Sequence, residues 1–423
     1  MFVFNKLNRF ICIRLSNANK IQTINPEIMN KTTRLLGSLL IITIATSCGT
    51  GDKNQSAQTD DPLANSPIVG QYVQAGTVMS CDQKLLADTV RIPLSFFTEK
   101  LEIVKLDSRD EALVGQTGVT ISDNYILVHG RRPNPFKLFD RKGNFLTNIG
   151  AIGQGPGEYQ MVYDVKLDEA NNRIYILPWN ASQLLVYDLQ GNVLDPIPLC
   201  LRCPKAKFNV DLTGGKVSIV LLPFKGSAAV AWTQDLKGNR LGYMEPGHLE
   251  APQDFSNEVI SGFNIPGTFD VNILCIMPTR VDSLYRYDGD NSRLIPTFTL
   301  NFANTDKIPW HGYGEWPHHF IGDFSEPPVE VAPGSWTNGK TFHYIVDKKT
   351  GKGSFFKLYN DYFGNLEIDY PSYAFSNGYY IRNIEPGNLM TDIENALKNK
   401  DITSEMRKKL TDLQNTIEDN DNN

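Results

Sequence analysis

The stretch Gly150-Ala-Ile-Gly-Gln-Gly-Pro-Gly-Glu-Tyr159 is flanked by two copies of one pattern. Before it stands Phe136-Lys-Leu-Phe-Asp-Arg-Lys-Gly-Asn-Phe-Leu146, and after it Leu184-Leu-Val-Tyr-Asp-Leu-Gln-Gly-Asn-Val-Leu194. Each copy is an apolar run, an Asp-x-x-Gly-Asn turn and a second apolar run. Asp accepts backbone hydrogen bonds in a turn, and Gly supplies the positive φ. The turn recurs as Asp235-Leu-Lys-Gly238, and more loosely as Tyr287-Asp-Gly289 and Asp347-Lys-Lys-Thr-Gly351. The first three copies lie 48 and 47 residues apart. A period of this length holds about four short strands, and four-stranded units repeated around an axis make a β-propeller.

Working outward, the unit after the loop reads as strands near 162–167, 173–177, 183–189 and 192–198. The unit before it runs through 117–121, 124–129, 136–139 and 145–149, and later units centre on 208–243, 258–302 and 318–358. That makes five blades. A sixth is expected from both ends of the chain, with 89–94 and 101–106 joining 366–373 and 378–384. Seven blades, or an unrelated pair of β domains, are the alternatives. The expected class is thus all-β, a six-bladed propeller over 68–387. From 388 the pattern becomes helical, with Leu389, Ile393, Leu397 and then Met406, Leu410, Leu413, Ile417 at 3–4-residue spacing. Two amphipathic helices on the exterior or rim are expected, with a disordered end over 418–423.

The N-terminus carries an export signal. Leu35–Ala45 is an apolar run too short to span a bilayer comfortably. Lys31 and Arg34 precede it and Ala45-Thr-Ser-Cys48 follows. That is the layout of a secretory signal over 29–47, with 1–28 read as an over-extended start. The small residues before Cys48 resemble a bacterial lipobox, which implies lipid on Cys48 and an anchor in the outer membrane. Residues 48–67 read as a flexible tether.

The formal net charge is -6. Without residues 1–47, which hold six Lys/Arg and one acid, the chain is about -11. This argues against nucleic acid as a partner, which calls for a basic surface. Of six cysteines, Cys200 and Cys203 have zinc or redox spacing. No second pair stands at a matching distance, so they read as a local disulfide or two buried thiols.

Gly153-x-Gly-Pro-Gly-Glu-Tyr159, the following Asn-x-Ile-Tyr-Ile strand and the Tyr-Asp-x-x-Gly-Asn turn resemble the six-bladed β-propeller lipoproteins of Bacteroidetes. Those are relatives of the NHL and TolB-like propellers. The resemblance implies the fold and an envelope location, and no settled reaction.

In propellers, ligands meet the face formed by inter-blade loops and second-to-third-strand loops. Here those positions hold His129, Arg131, Arg132, Glu158, Tyr159, Trp179, Asn180, Phe224, Lys225, Arg280, Trp310, Trp316 and Trp336. Aromatic rings with polar partners suit a glycan or another amphipathic ligand. The expectation is a binding or scaffold module for a glycan, peptide or envelope protein. The alternative is a metal-dependent, lactonase-like hydrolase using axial calcium on Asp164, Asp211 and Asp270, or a metal near His311, His318, His319 and Asp323. The glycine loop lacks the Lys-Ser/Thr of a phosphate loop. No nucleophile elbow is present, and no catalytic residue is assigned.

Overall fold

The computed structural model describes residues 10–12 and 61–421, apart from 116–117, 131–133, 254–255, 275–279, 303–307, 327–328, 334, 338 and 370–374; at 10–12, 336 and 418–421 it describes the backbone alone. Cys48, Arg131 and Arg132 lie outside the described residues, as do the expected signal segment and most of the expected tether.

The fold is an all-β propeller with a C-terminal two-helix tail. Blade one comprises Gly118–Ile121, Tyr125–His129, Phe136–Asp140 and Phe145–Ile149, each strand antiparallel to the next. Blade two comprises Val162–Asp168, Arg173–Pro178, Ala181–Tyr187 and Val193–Cys203. Blade three runs from Ala206–Asp211 to Arg240–Met244, and blade four from Glu258–Gly262 to Arg293–Asn301. Blade five runs from Trp310–Glu315 to Gly353–Asn360 and carries an inserted hairpin, Val329–Ala332 with Ser335–Thr337.

The middle strands are apolar on both faces, as in Ile174-Tyr-Ile-Leu177, because each blade is covered by a neighbour on either side. The inner strands alternate, burying one set of side chains and turning the other toward the channel. The third-to-fourth-strand turns repeat as expected. Asp140, Asp188 and Asp235 each accept the backbone N–H two and four residues on, and the side-chain amide of the Asn four residues on. Gly143 at φ +90 closes the first of these turns against the Lys105 carbonyl, where a Cβ would not fit.

Among the described residues there are five four-stranded blades, not six. Thr89–Pro93 runs parallel to Gly353–Asn360, and Leu366–Ile368 pairs antiparallel with its end, so both extend blade five. Val78–Asp82, hairpinned with Gly70–Val73, adds parallel to the outer strand of blade four. What remains is too short for a blade. Phe375–Ser376 and Tyr379–Tyr380 form a small hairpin, and Phe10–Cys12 lies between Ile103–Lys105 and Arg382–Ile384. Side chains close the ring instead of a sheet. Phe375 and Tyr380 pack with Trp316 and Ile345 of blade five, while Tyr379 packs with Ile126 and Phe139 of blade one.

Helix α1 spans Pro386–Lys398 and α2 spans Ser404–Asp421, so the helix continues through 418–421 where disorder is expected. Leu389, Ile393, Ala396, Leu410 and Ile417 bury against one another and against Phe363 and Ile384. Cys200 and Cys203 are free thiols.

Candidate ligand cavity

The inner strands of blades one to four and the C-terminal segment enclose a cavity of about 1090 Å³. The strands contribute Thr120, Asp164, Lys166, Lys207 and Ser261. His129 and Gly130 come from the end of blade one's second strand. The opposite wall is Ser376, Asn377 and Arg382–Glu385, continued by Asn388, Thr391 and Asp392 of α1. The tail is therefore part of the channel wall and not only an exterior appendage.

The charged groups are organised around Asp164. In an extended strand, residues two apart share a face, which puts Asp164 and Lys166 side by side, with Nζ 3.6 Å from the carboxylate. Lys207, at the corresponding place in blade three, reaches the same carboxylate at 3.4 Å and the Tyr163 carbonyl at 3.3 Å. The Phe208 N–H donates to the other carboxylate oxygen at 3.3 Å. Burial disfavours the ionised Asp164, but the two ammonium groups and the Phe208 and Val165 amides outweigh it and hold its pKa below the ordinary 3.8. Burial, helped by the Lys207 charge, brings Lys166 down to about 8 against the pull of Asp164. Its ammonium sits 3.5 Å from the centre of the Phe263 ring.

His129 contacts Thr120 Oγ1 through Nε2 at 3.1 Å and packs on Phe136. Burial lowers its pKa to about 4, so it is neutral at pH 7. The inner-strand cluster thus carries two cations and one anion. Across the cavity, Arg382 pairs with Asp392 at 2.7 Å.

The residues expected on the ligand face do not assemble into one site. Glu158 accepts the Gly155 N–H at 2.8 Å and braces its own loop. Tyr159 is 3% exposed: its hydroxyl donates to the Ile149 carbonyl at 2.6 Å and accepts the Phe136 N–H at 2.8 Å. The glycine loop is a brace between blades one and two. Trp316 is buried against Phe97 and Phe375. Arg280 donates to the Leu249 and Glu250 carbonyls and to Asp282. Trp179 is exposed beside Asn180, which holds φ +55; Lys225 is exposed and Trp310 half-buried. None of these lines the cavity. Trp336 lies on the inserted hairpin, its backbone paired with Glu330.

The expected metal sets are also separated. Asp211 accepts the Gly214 N–H in a turn, and Asp270 pairs with Arg286 at 3.0 Å. His311 accepts the Asp282 N–H, and His319 packs between Phe96 and Phe97. Among the described residues no three His, Cys, Asp or Glu side chains stand together as a metal site. Lys166 and Lys207 are not legible in the sequence as site residues, because a strand lysine ordinarily faces bulk water. The available signal was Asp164 and Lys166 two residues apart on an inner strand, with apolar Val165 between them.

No helix among the described residues is long and apolar enough to cross a membrane. Solved structures similar to the chain include an exported protein of Bacteroides fragilis, 16% identical over 60% of this chain and 75% of that one, with a TM-score of 0.45. A member of the duf4221 family from Bacteroides vulgatus is 12% identical, covering 64% of this chain and 92% of that one, with a TM-score of 0.37. An auxiliary nutrient binding protein of Bacteroides thetaiotaomicron is 11% identical, covering 58% and 64%, with a TM-score of 0.33. These likenesses are distant, and the propeller stands on the strand pairing described above. No curated protein matches the chain. One family model matches residues 77–423, from the hairpin that extends blade four to the last residue, and the chain therefore belongs to the family described as a domain of unknown function, DUF4934.

Proposed function

We propose that the protein is a binding module of the cell envelope, held by lipid on Cys48, that takes part of a glycan, peptide or protein partner into the cavity between the inner strands and α1. The observation that carries the reading is the cavity itself. It is about 1090 Å³ in volume and is walled by side chains from four blades and the tail. Lys166 and Lys207 lie there, each with its side chain 20% exposed. Ligand sites are typically concave, with a few convergent polar groups. The exposed rim at Trp179 and Lys225 offers a secondary contact surface.

The test is a thermal-shift screen of oligosaccharides and peptides, since a ligand that binds only the folded chain raises its melting temperature. Ser261→Trp puts a large ring into the cavity and should weaken the shift, while Trp179→Ala should weaken it at most modestly. A shift that survives Ser261→Trp and disappears in Trp179→Ala would move the site to the rim. The anchor is tested separately: Cys48→Ala should release the protein from the membrane fraction.

A further inference from the structure

We infer that this cavity selects ligands bearing an oxyanion, received jointly by Lys166 and Lys207. The inference rests on the cavity being the ligand site and adds the chemical class it takes.

The geometry around Asp164 is that of an under-filled cation pair. Two ammonium groups, with three donors each, share one carboxylate. Their contacts to it, 3.6 and 3.4 Å, are long beside the roughly 2.7–2.9 Å of a well-formed charge-assisted hydrogen bond. Elsewhere in the same molecule such a bond does form at full strength, as between Lys216 and Asp290 at 2.9 Å. Lys207 has one further acceptor, the Tyr163 carbonyl at 3.3 Å. Lys166 rests instead on the face of Phe263, which accepts no conventional hydrogen bond. Both lysines line the cavity, and donors directed into it remain for an incoming acceptor.

The sign of the charge chooses the acceptor. Neutral His129 adds no charge, and Asp164 is the one acid that the inner strands bring to this wall, so its excess is positive. A neutral sugar hydroxyl would fill a donor without using that excess. A carboxylate, phosphate or sulfate oxygen fills the donors and neutralises the pair. The far wall carries two acids, Glu385 and Asp392, the second paired with Arg382, so the positive excess belongs to the lysine wall and not to the whole cavity. The cavity is several times the volume of a single sugar ring, so the oxyanion is one group on a larger molecule, with Thr120, Ser261 and Asn388 available to its hydroxyls.

The experiment measures binding to the purified full-length protein by calorimetry, with galacturonate, inorganic phosphate and sulfate as probes and galactose as the uncharged match to the first. At least one anion should bind, and galacturonate should exceed galactose by tenfold or more if the source is a carboxylate. Phosphate or sulfate alone would identify an ester instead. Lys166→Gln and Lys207→Gln should each weaken the bound anion at least tenfold. Because removing a lysine can disturb folding, the decisive variant is Asp164→Asn. It removes the built-in competitor and should tighten anion binding several-fold, which a misfolded chain could not do. Galactose binding as well as galacturonate, no anion binding at all, or weaker anion binding in Asp164→Asn would each overturn the inference. A neutral oligosaccharide that still binds and is weakened by Ser261→Trp would leave the cavity as the ligand site and remove only the oxyanion.

Discussion

Asp188 accepts two backbone N–H groups and one side-chain amide inside five residues of chain. A turn built this way needs nothing from the rest of the molecule, which is why the repeat can be read from sequence. Tyr159 is the opposite case. Its sequence context suggests a channel-mouth residue, but its hydroxyl satisfies Ile149 and Phe136 within the interface of blades one and two. Tyr159→Phe should therefore cost about 1–3 kcal/mol, the usual penalty for leaving buried backbone groups unpaired. Urea denaturation should show a lower midpoint at unchanged slope. The buried histidines set a pH dependence. Burial lowers His129 and His319 from the ordinary 6.5 to about 4, and lowers His311 and His343 in the same direction. Below pH 6.5 the unfolded chain takes up protons that the folded chain refuses. Their contribution is complete above pH 6.5 and is lost progressively as pH falls toward 4. At about 1.4 kcal/mol per unit, each of the first two is worth at most about 3.5 kcal/mol, less for His129 where water enters the cavity. The melting temperature should fall between pH 7 and pH 5, and His319→Gln should flatten that fall.

At the scale of elements, the helical tail was legible as two amphipathic helices, because a 3–4-residue apolar spacing is a local property. Its docking place was not. The apolar stripe of α1 specifies that something covers it, and only the ring's path brings Phe363 and Ile384 there, with Asn388, Thr391 and Asp392 left facing the channel. Ending the chain after Glu385 should consequently do two things. It should destabilise the protein by exposing Phe363 and Ile384, seen as a lower melting temperature and new dye binding. It should also weaken any cavity ligand at least tenfold by opening one wall. A tail that merely lay on the exterior would affect stability alone, so binding and stability measured together separate the two. The short strands show the same division. Residues 89–93, 103–105, 366–368 and 382–384 are recognisable as strands, but each can pair in several ways, and a sixth blade was one of them. The observed pairing sends 89–93 and 366–368 to blade five.

For the whole molecule the consequence is a ring closed by side chains. Apolar clusters lie at each junction between consecutive blades, and two more meet through the chain at Tyr379-Tyr380, one packing Phe375 and Tyr380 with blade five and the other Tyr379 with blade one. An open array of repeats loses stability mainly next to a lesion, because each unit answers to its nearest neighbours. A closed ring offers no free end from which blades can peel, so weakening the closure lowers the opening free energy of every blade. Tyr379 is the place to test this, being 9% exposed, packed on Ile126 and covered by the Arg141 guanidinium at 5.6 Å. Tyr379→Ala should cost about 3 kcal/mol, by analogy with other buried aromatic truncations. At 1.4 kcal/mol per decade, slowly exchanging amides should then lose roughly two orders of magnitude of protection. The informative probes are far from the substitution, in blade three, at the amides of Ile219 and Trp232. Equal loss there and in blade one marks a single cooperative ring. Loss confined to blades one and five would mean that the closure is a local contact and that blades two to four stand without it.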